Sequence, residues 1–313
     1  MHFSQFYASP MNLNPAEAGL FNGGYRFVGN ERRQWASVTK PYQTFGFSVD
    51  AHNVLRLKNI GAALSVYSDI AGDSRFGTTQ INLALSYLLK LNQDSTQTLS
   101  AGIQSGITQR KIDYTALTFD EQYNGYQWEN TPVSESFANN GSVYPNVNIG
   151  AAWKYDITKR TNVVAGVSIF NITKPAQSFF ENNEIVLDRR LSFYALGQIK
   201  VTKKIDILPG YLYQQQGKYI EFDIGTLGKY ILEDSQLKRT AIYFGIWTRT
   251  KDAGYITAGM DYNKWKAGIS YDINYSGLVP ASNGQGGLEL SLIYILGSPM
   301  PKRLKYIQCP DFI

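Results

Sequence analysis

The segment from Ser48 to His52 holds the residue types of a hydrolytic triad: Ser48, Asp50 and His52. A serine nucleophile, a histidine base and an orienting carboxylate act together when direct hydrogen bonds join them. The three residues alternate with apolar ones, which predicts a β-strand carrying all three on one face. Same-face neighbours on a strand lie about 7 Å apart, too far for those bonds. We therefore interpret them as polar residues on the wet face of a strand and expect no catalytic residues.

Other reactive residue types do not form a predicted centre either. His2 and His52 are the only histidines, so a two-histidine metal site would depend on the N-terminal segment, and we expect none. The single cysteine, Cys309, excludes an internal disulfide and a multi-thiolate metal site; we interpret it as a structural or incidental thiol. The glycine-rich segment 284–287 joins two predicted strands and opens no helix, which argues against a phosphate site. We expect no cofactor and no metal.

The composition narrows the class of protein. Hydrophobic residues make up 43% of the 313 residues, but no run approaches the roughly 18 apolar residues of a membrane helix. The net charge is +5 with scattered lysines and arginines, so the sequence does not predict a nucleic-acid surface. Aromatic residues reach 14% and suit both strands and membrane interfaces. No signal-peptide pattern follows Met1, which indicates a cytosolic protein or a mature form.

Alternation of apolar and polar residues predicts about 14 strands. The clearest segment is 265–275, in which every second residue is apolar: Trp265, Ala267, Ile269, Tyr271, Ile273 and Tyr275. Lysine, glycine, serine, aspartate and asparagine lie between them. The first strand is predicted from Tyr25 with a break at 30–42, and the others at 45–51, 60–66, 81–91, 99–107, 147–155, 163–169, 191–201, 205–213, 220–226, 241–249, 255–263 and 288–296.

Three features favour a membrane barrel over a soluble sandwich. The clean segments reach about ten residues, the length of a tilted transmembrane strand, whereas ordinary strands average about five or six. Their polar faces are rich in Asn, Gln, Ser, Thr and Gly, as in a wet, crowded lumen. Long connections at 111–145, 171–188 and 276–286 alternate with tight ones, as in outer-membrane barrels. A connection at 228–238 departs from that alternation. We predict an all-β fold: a closed, up-and-down, antiparallel transmembrane β-barrel.

The barrel prediction divides the chain into three parts. Residues 1–24 form an N-terminal periplasmic segment or a plug, 25–297 the outer-membrane barrel, and 298–313 a C-terminal periplasmic tail. An even number of strands places both termini at the same rim. Within the first part, 14–19 predicts one helical turn, with Asn14 as its cap and Gly19 as its stop.

The longest predicted loop, 111–145, carries the candidate partner-binding residues. They are aromatic: Phe119, Tyr123, Tyr126 and Trp128. Such side chains are enriched where proteins bind one another. They suit equally well a loop that packs down over or into the barrel mouth, and the sequence does not choose between these alternatives.

The order of several short motifs resembles mature proteins of the PorP/SprF family. The motifs are His2-Phe3-Ser4-Gln5-Phe6-Tyr7, Pro10, Leu13-Asn14-Pro15-Ala16 and Gly19; Arg33-Gln34-Trp35, Pro41 and Thr44-Phe45; Pro145-Asn146, Gly150 and Trp153; and Gly268-Ile269-Ser270-Tyr271-Asp272, Ser276-Gly277-Leu278 and Gly287-Leu288-Glu289. The resemblance runs from end to end. Cys309-Pro310 with Phe312 resembles the tail of some members, although Asp311 stands where a basic residue is expected.

That resemblance implies an outer-membrane barrel of the type IX secretion and gliding motility system, in its mature form after signal-peptide removal. The implied partners are the C-terminal sorting domain of a secreted cell-surface adhesin, other components of the system including a periplasmic lipoprotein, and outer-membrane lipid, but no nucleic acid. The family supplies no catalytic residues. The alternative from a different class is a passive porin or solute channel. A third class, an outer-membrane hydrolase, lacks a constellation in this sequence.

Overall fold

The computed structural model describes residues 1–36, 40–54, 57–129, 140–179, 184–235, 238–277 and 279–297. Fourteen antiparallel strands in these ranges form one closed barrel, in which each strand pairs with its sequence neighbours and β1 pairs with β14. The strands are β1 (Tyr25–Gln34), β2 (Tyr42–His52), β3 (Ile60–Ala71), β4 (Phe76–Lys90), β5 (Gln97–Lys111), β6 (Gly141–Thr158), β7 (Thr161–Phe170), β8 (Arg190–Lys200), β9 (Ile205–Gln216), β10 (Tyr219–Asp234), β11 (Arg239–Arg249), β12 (Ala253–Tyr262), β13 (Trp265–Asn274) and β14 (Gln285–Leu296). The closed, up-and-down barrel and its strand number are confirmed.

The helices of the described residues are short and form no part of the barrel wall. Two of them are α-helices: α1 (Pro10–Leu13), in the N-terminal segment, and α2 (Val279–Ser282), between β13 and β14. Single 3-10 turns occur at Phe6–Ala8, Pro15–Glu17, Tyr114–Ala116 and Asp120–Gln122. Across the described ranges, we find no helix with the length and apolar character needed to cross a bilayer.

The apolar faces of the strands point outward. Leu83, in the middle of β4, is 65% exposed, and Ile269 and Leu290 are also exposed, whereas the intervening Asn82 and Glu289 are buried. A belt of exposed leucine, isoleucine and aromatic side chains around a polar interior is the arrangement of a membrane barrel. The arrangement excludes a soluble sandwich, in which these rows would pack against each other.

Several strands extend further than the alternation predicts, and β1 and β10 show the reasons. β1 continues to Gln34, through the first part of the predicted break at 30–42. The prediction failed there because Glu31 and Arg33 on the outer face are charged, so apolar and polar residues no longer alternate. β10 continues to Asp234, so the predicted connection at 228–238 is wrong. In β10 the apolar residues Leu227 and Ile231 are buried on the inner face, whereas the other strands mostly carry polar residues there. The true connection, 235–238, is short, but the loop-rim connections before and after it, 217–218 and 250–252, are shorter still, so long and short connections do not alternate in this part of the barrel.

The two rims of the barrel differ in their connections. The end that we call the loop rim carries 112–140, 171–189 and 275–284, the longest connections. The opposite end, the turn rim, carries shorter connections such as 159–160 and 263–264. Since β1 begins and β14 ends at the turn rim, both ends of the barrel sequence lie there. Residues 298–313, including Cys309, lie outside the described residues.

Leu83→Arg tests the lipid-facing assignment. We expect it to lower the free energy of unfolding in a bilayer by about 2–4 kcal/mol, because an arginine then lies at the apolar midplane. Urea titration of the barrel in lipid vesicles, followed by gel migration with and without heating, measures the change. Tyr126→Arg, in an exposed loop, is the control and should change stability by no more than about 0.5 kcal/mol. Equal stabilities of the two variants would contradict the assignment.

Candidate functional site

Residues 1–24, which we call the internal segment, run through the barrel lumen from one rim to the other. At the turn rim the Gly24 N–H donates to the Leu296 carbonyl at 2.9 Å. Towards the loop rim, Arg32 Nη1 donates to the carbonyl of His2 at 3.0 Å. Most of the segment between these points is buried, with Met11 and Ala16 fully enclosed. The chain therefore fills its own lumen.

Asn14 fixes the middle of the internal segment. Its Oδ1 accepts from the Ala16 N–H at 2.8 Å, and its Nδ2 donates to the carbonyls of Ala151 (3.0 Å) and Val167 (3.2 Å). The predicted helical turn is confirmed, as a 3-10 turn that stops before Gly19 at φ +71°. One side chain thus caps the turn and ties it to strands β6 and β7.

Glycines on the inner wall make room for this segment. A Cβ at Gly61 would lie 2.2 Å from the Ala18 carbonyl oxygen. One at Gly102 would lie 2.6 Å from the backbone of Pro15 and Ala16. These distances are too short for a side chain, so the wall and the internal segment touch backbone to backbone.

Aromatic packing fills the lumen on the opposite side. The ring of Trp247 in β11 lies 5.5 Å from that of Phe6, 5.4 Å from that of Tyr7 and 6.0 Å from that of Tyr255. Phe6, Trp247 and Tyr255 are buried. Side chains from two sides of the barrel therefore enclose the internal segment.

A charge cluster lies on the inner wall near the loop rim: Arg32, Glu221, Asp223, Arg249, Asp272 and Glu289. Within it, Arg32 Nη2 lies 2.6 Å from Asp272 Oδ2, and Arg249 Nε lies 3.3 Å from Asp223 Oδ1. Each of these four side chains is at most 4% exposed. Buried charges need such partners, because an isolated ion in this environment costs several kcal/mol.

The charge cluster binds the first residues of the internal segment. Glu289 accepts the backbone N–H groups of Ser4 (2.6 Å) and Gln5 (2.8 Å). The Ser4 hydroxyl donates to Asp272 Oδ1 at 2.8 Å and accepts from Arg249 Nη2 at 3.0 Å. Charge-assisted hydrogen bonds of this kind are stronger than neutral ones. The cluster is therefore an anchor for the internal segment. In the sequence, the sign of this anchor is that acidic residues occur on the polar faces of the predicted strands.

The two histidines lie at opposite rims. His2 Nδ1 lies 2.8 Å from Glu221 Oε1 near the loop rim, whereas His52 ends β2 at the turn rim. Burial, reinforced by the positive charge of Arg249, lowers the pKa of His2 to about 4, so its imidazole is neutral at neutral pH. In the described part of the chain, no group of three His, Cys, Asp or Glu residues could hold a metal ion.

Asp50 serves the internal segment rather than a triad. Its carboxylate accepts from Arg26 Nε at 2.8 Å, from Arg26 Nη2 at 2.9 Å and from the Gly19 N–H at 2.8 Å. Its same-face neighbours Ser48 and His52 make no hydrogen bond to it among the described residues. The glycine-rich segment 284–287 follows α2 and enters β14, so it opens no helix.

Three of the four predicted partner-binding residues come together at the end of the longest loop. The rings of Tyr123 and Trp128 lie 5.1 Å apart, and the two residues form an antiparallel bridge. Tyr126, at the turn between them, is 95% exposed. We call Tyr123, Tyr126 and Trp128 the aromatic tip. Phe119 is half-buried nearer the loop base, and residues 130–139 of this loop lie outside the described residues.

A polar cavity, the vestibule, remains between the internal segment and the loop rim. Its volume is about 180 Å³. Met11 and Asn12 of the internal segment lie on one side of it, and polar side chains of β4, β5, β6 and β8 lie on the others. The lumen thus has a pocket at its loop end, next to a filled middle.

Gly102→Val tests whether the internal segment closes the lumen. A valine there overlaps the backbone of Pro15 and Ala16, and overpacking costs about 1–3 kcal/mol, so we expect the segment to be displaced and the lumen to open. In planar bilayers the wild type should stay closed and the variant should pass larger, steadier currents. The control is Gly29→Val, since a Cβ at Gly29 has no atom within 4 Å. Large open currents through the wild type would contradict closure.

Arg32→Met tests the anchor. Removing this cation leaves Asp272 with Arg249, at 3.4 Å, as its remaining ionic partner, and breaking a buried pair costs about 3–5 kcal/mol. We expect a loss of this size in urea unfolding and faster proteolysis of residues 1–24. Arg239→Met removes the exposed ion pair with Asp234 instead and should cost no more than about 1 kcal/mol. If both variants lose the same stability, the cluster does not anchor the segment.

Comparisons with known proteins agree with the sequence resemblance. A family model described as "Type IX secretion system membrane protein PorP/SprF" matches residues 1–294. No curated protein matches the chain. Similar solved structures include the CymD monoaromatic hydrocarbon channel (12% identity, TM-score 0.47, covering 93% of each chain), a Pseudomonas aeruginosa FadL homologue (11%, 0.45, covering 90% of this chain and 92% of that one) and the KdgM porin (7%, 0.42, 86% and 98%).

Proposed function

This chain belongs to the PorP/SprF family of type IX secretion system membrane proteins, and we propose from that membership that it binds a secreted adhesin and helps to display it on the cell surface. The chain is an outer-membrane barrel of that system. In the proposal, its loop rim faces the outside and holds the adhesin's C-terminal sorting domain. The chain acts in its mature form, after removal of a signal peptide.

The observation that carries the proposal is the aromatic tip. Tyr126 is 95% exposed, and Tyr123 and Trp128 beside it are also exposed. Three large aromatic side chains are therefore accessible to a partner at the loop rim. Tyrosine and tryptophan are the residue types that most often dominate binding energy at protein interfaces. An exposed aromatic group of this kind suits docking of a partner domain better than packing into the barrel mouth.

The filled lumen supports a binding role over the alternative of a passive porin. A porin needs a continuous aqueous path. Here the internal segment is hydrogen-bonded to several strands and buried along most of its length. We also propose that the chain is not an enzyme, a proposal supported by Asp50, whose oxygens are bound to Arg26 and Gly19.

The turn rim is the proposed face for the periplasmic machinery. Its connections are short, and both ends of the barrel sequence lie there. A periplasmic lipoprotein of the secretion system would bind at this rim, where β14 ends. The two rims would then have separate partners, one on each side of the membrane.

Replacing the aromatic tip tests the proposal. We expect Tyr126→Ala combined with Trp128→Ala to reduce capture of the secreted partner at least tenfold, because interface hot spots contribute about 2 kcal/mol or more each. The measurement is co-purification from native membranes, with the bound proteins identified and quantified by mass spectrometry, and labelling of intact cells for surface display.

The matched control is Tyr219→Ala, which removes another exposed tyrosine of the loop rim. It should leave capture and display unchanged. If replacement of the whole loop 112–140 by a short Gly-Ser linker also leaves display undiminished, with the barrel still inserted, the aromatic tip does not hold the adhesin.

A further inference from the structure

The vestibule has an unusual charge pattern. Arg110 of β5 and Arg190 of β8 line it, and no aspartate or glutamate is among the described residues around it. Elsewhere on the inner wall, arginines have acidic partners: Arg26 lies 2.8 Å from Asp50, and Arg32 lies 2.6 Å from Asp272. The vestibule is therefore a pocket lined by two arginines and by no carboxylate among the described residues.

Arg110 and Arg190 contact neutral groups. Arg110 donates to the amide oxygen of Gln177, and Arg190 Nη2 donates to the backbone carbonyl of Asn12 at 2.9 Å. Their guanidinium groups also lie over the rings of Phe76 (4.7 Å) and Phe170 (4.1 Å). These contacts position both cations. Among the described residues, neither guanidinium has a carboxylate within ion-pair distance, although the negative charge of Glu221 acts on Arg190 from further away.

Carboxamide side chains form much of the remaining wall. Asn148 Nδ2 donates to Gln104 Oε1 at 2.8 Å, and Asn146 Nδ2 donates to Thr108 Oγ1 at 2.9 Å. Three buried polar atoms of lining residues have no hydrogen-bond partner among the described residues: Asn82 Oδ1, Gln104 Nε2 and Arg190 Nε. The wall thus offers an anion site next to neutral donors and acceptors.

We propose that the vestibule receives the free carboxyl terminus of a polypeptide. The α-carboxylate would pair with Arg190 and Arg110. The last peptide groups would bond to the carboxamide side chains, because peptide groups and carboxamides each have a carbonyl acceptor and N–H donors. A volume of about 180 Å³ equals that of about six waters in the liquid, which suits one or two terminal residues. This inference rests on the proposed function and names the part of the secreted protein that enters the barrel.

The position of the vestibule favours a polypeptide as the occupant. It lies at the loop end of the lumen, the side on which the aromatic tip stands. A domain docked on that tip could reach the pocket with its last residues, and capture of a C-terminal carboxylate is a recurring mode of peptide recognition. An acidic sugar also carries a carboxylate among polar groups, and the test below separates the two.

The test uses the whole barrel in lipid nanodiscs and three probes: N-acetyl-triglycine with a free carboxylate, the same peptide with a C-terminal amide, and galacturonic acid. Saturation-transfer NMR titrations measure their binding. We expect the free carboxylate to bind at least tenfold more tightly than the amide. The combined Arg110→Gln and Arg190→Gln substitutions should remove this preference and leave the amide's weak binding unchanged.

Arg189→Gln is the matched control, because Arg189 neighbours Arg190 in sequence but lines a groove with Ile149 and Leu191 on the outer face instead. It should keep the full preference. Arg190→Lys, which retains the charge, should keep part of it. Unchanged gel migration before and after heating confirms that each variant is folded. Equal binding of carboxylate and amide, tighter binding of galacturonic acid, or no binding of either peptide would overturn the assignment.

A second arm separates this inference from the proposed function. The secreted protein that co-purifies with the wild-type barrel is prepared with and without its last three residues. We expect the truncation to weaken binding at least tenfold and the double arginine variant to bind both forms equally weakly. If the truncated protein binds as tightly as the intact one, the inference fails and the proposed function stands. If no secreted protein co-purifies, both fail.

Discussion

Pairing of β1 with β14 is the constraint on which the rest of this structure depends. In hydrocarbon every backbone N–H and C=O needs a partner, and a sheet meets that demand only when it has no edges. The register from Tyr25 with Leu296 to Gln34 with Gly287 closes the sheet along the full length of β1. Closure fixes an interior of limited width, faces the apolar rows towards lipid, and divides the connections between two rims.

A closed interior has to be occupied by water or by protein, and here the internal segment occupies it. The segment is held by backbone contact at the inner glycines, by aromatic packing around Trp247, and by the charge cluster. These contacts involve strands from all around the barrel, so the segment braces the wall. The aromatic tip and the vestibule lie at the loop rim of this filled barrel. A filled interior suits the proposed binding role better than the role of a conduit.

The alternation of apolar and polar residues predicted the strands of the barrel wall but could not predict how the internal segment fills the lumen. Alternation gives the strand number and the lipid-facing side because both depend on neighbouring residues. It failed at β10, where Leu227 and Ile231 face inward and Leu227 packs in one hydrophobic cluster with Phe6 and Trp247. The contacts of Ser4 and Gln5 with Asp272 and Glu289 join residues more than 260 positions apart, and no periodicity encodes them. Ser4, Gln5, Asp272 and Glu289 also belong to the motifs that carried the family resemblance, so the order of those motifs reflected an interface inside the barrel.

The aromatic residues of the long loop illustrate the same limit. Their types suggested a binding surface, but the pairing of Tyr123 with Trp128 and the exposure of Tyr126 depend on how the loop turns back on itself. The vestibule was hidden for a related reason. Arg110 and Arg190 are 80 positions apart. They meet in a pocket with no carboxylate among its described lining residues, and a linear sequence does not show this.

The route of the internal segment also constrains the order of assembly. Its inner end lies near the loop rim, while Gly24 joins β1 at the turn rim, so the segment extends along most of the height of the finished cylinder. Threading it afterwards through the closed and crowded lumen would require carrying its polar groups past the buried rings of Trp247 and Tyr255. We therefore expect the strands to wrap around a segment that is already in place, with the pairing of the first and last strands forming at the end. In that order of assembly the internal segment is the core around which the barrel forms.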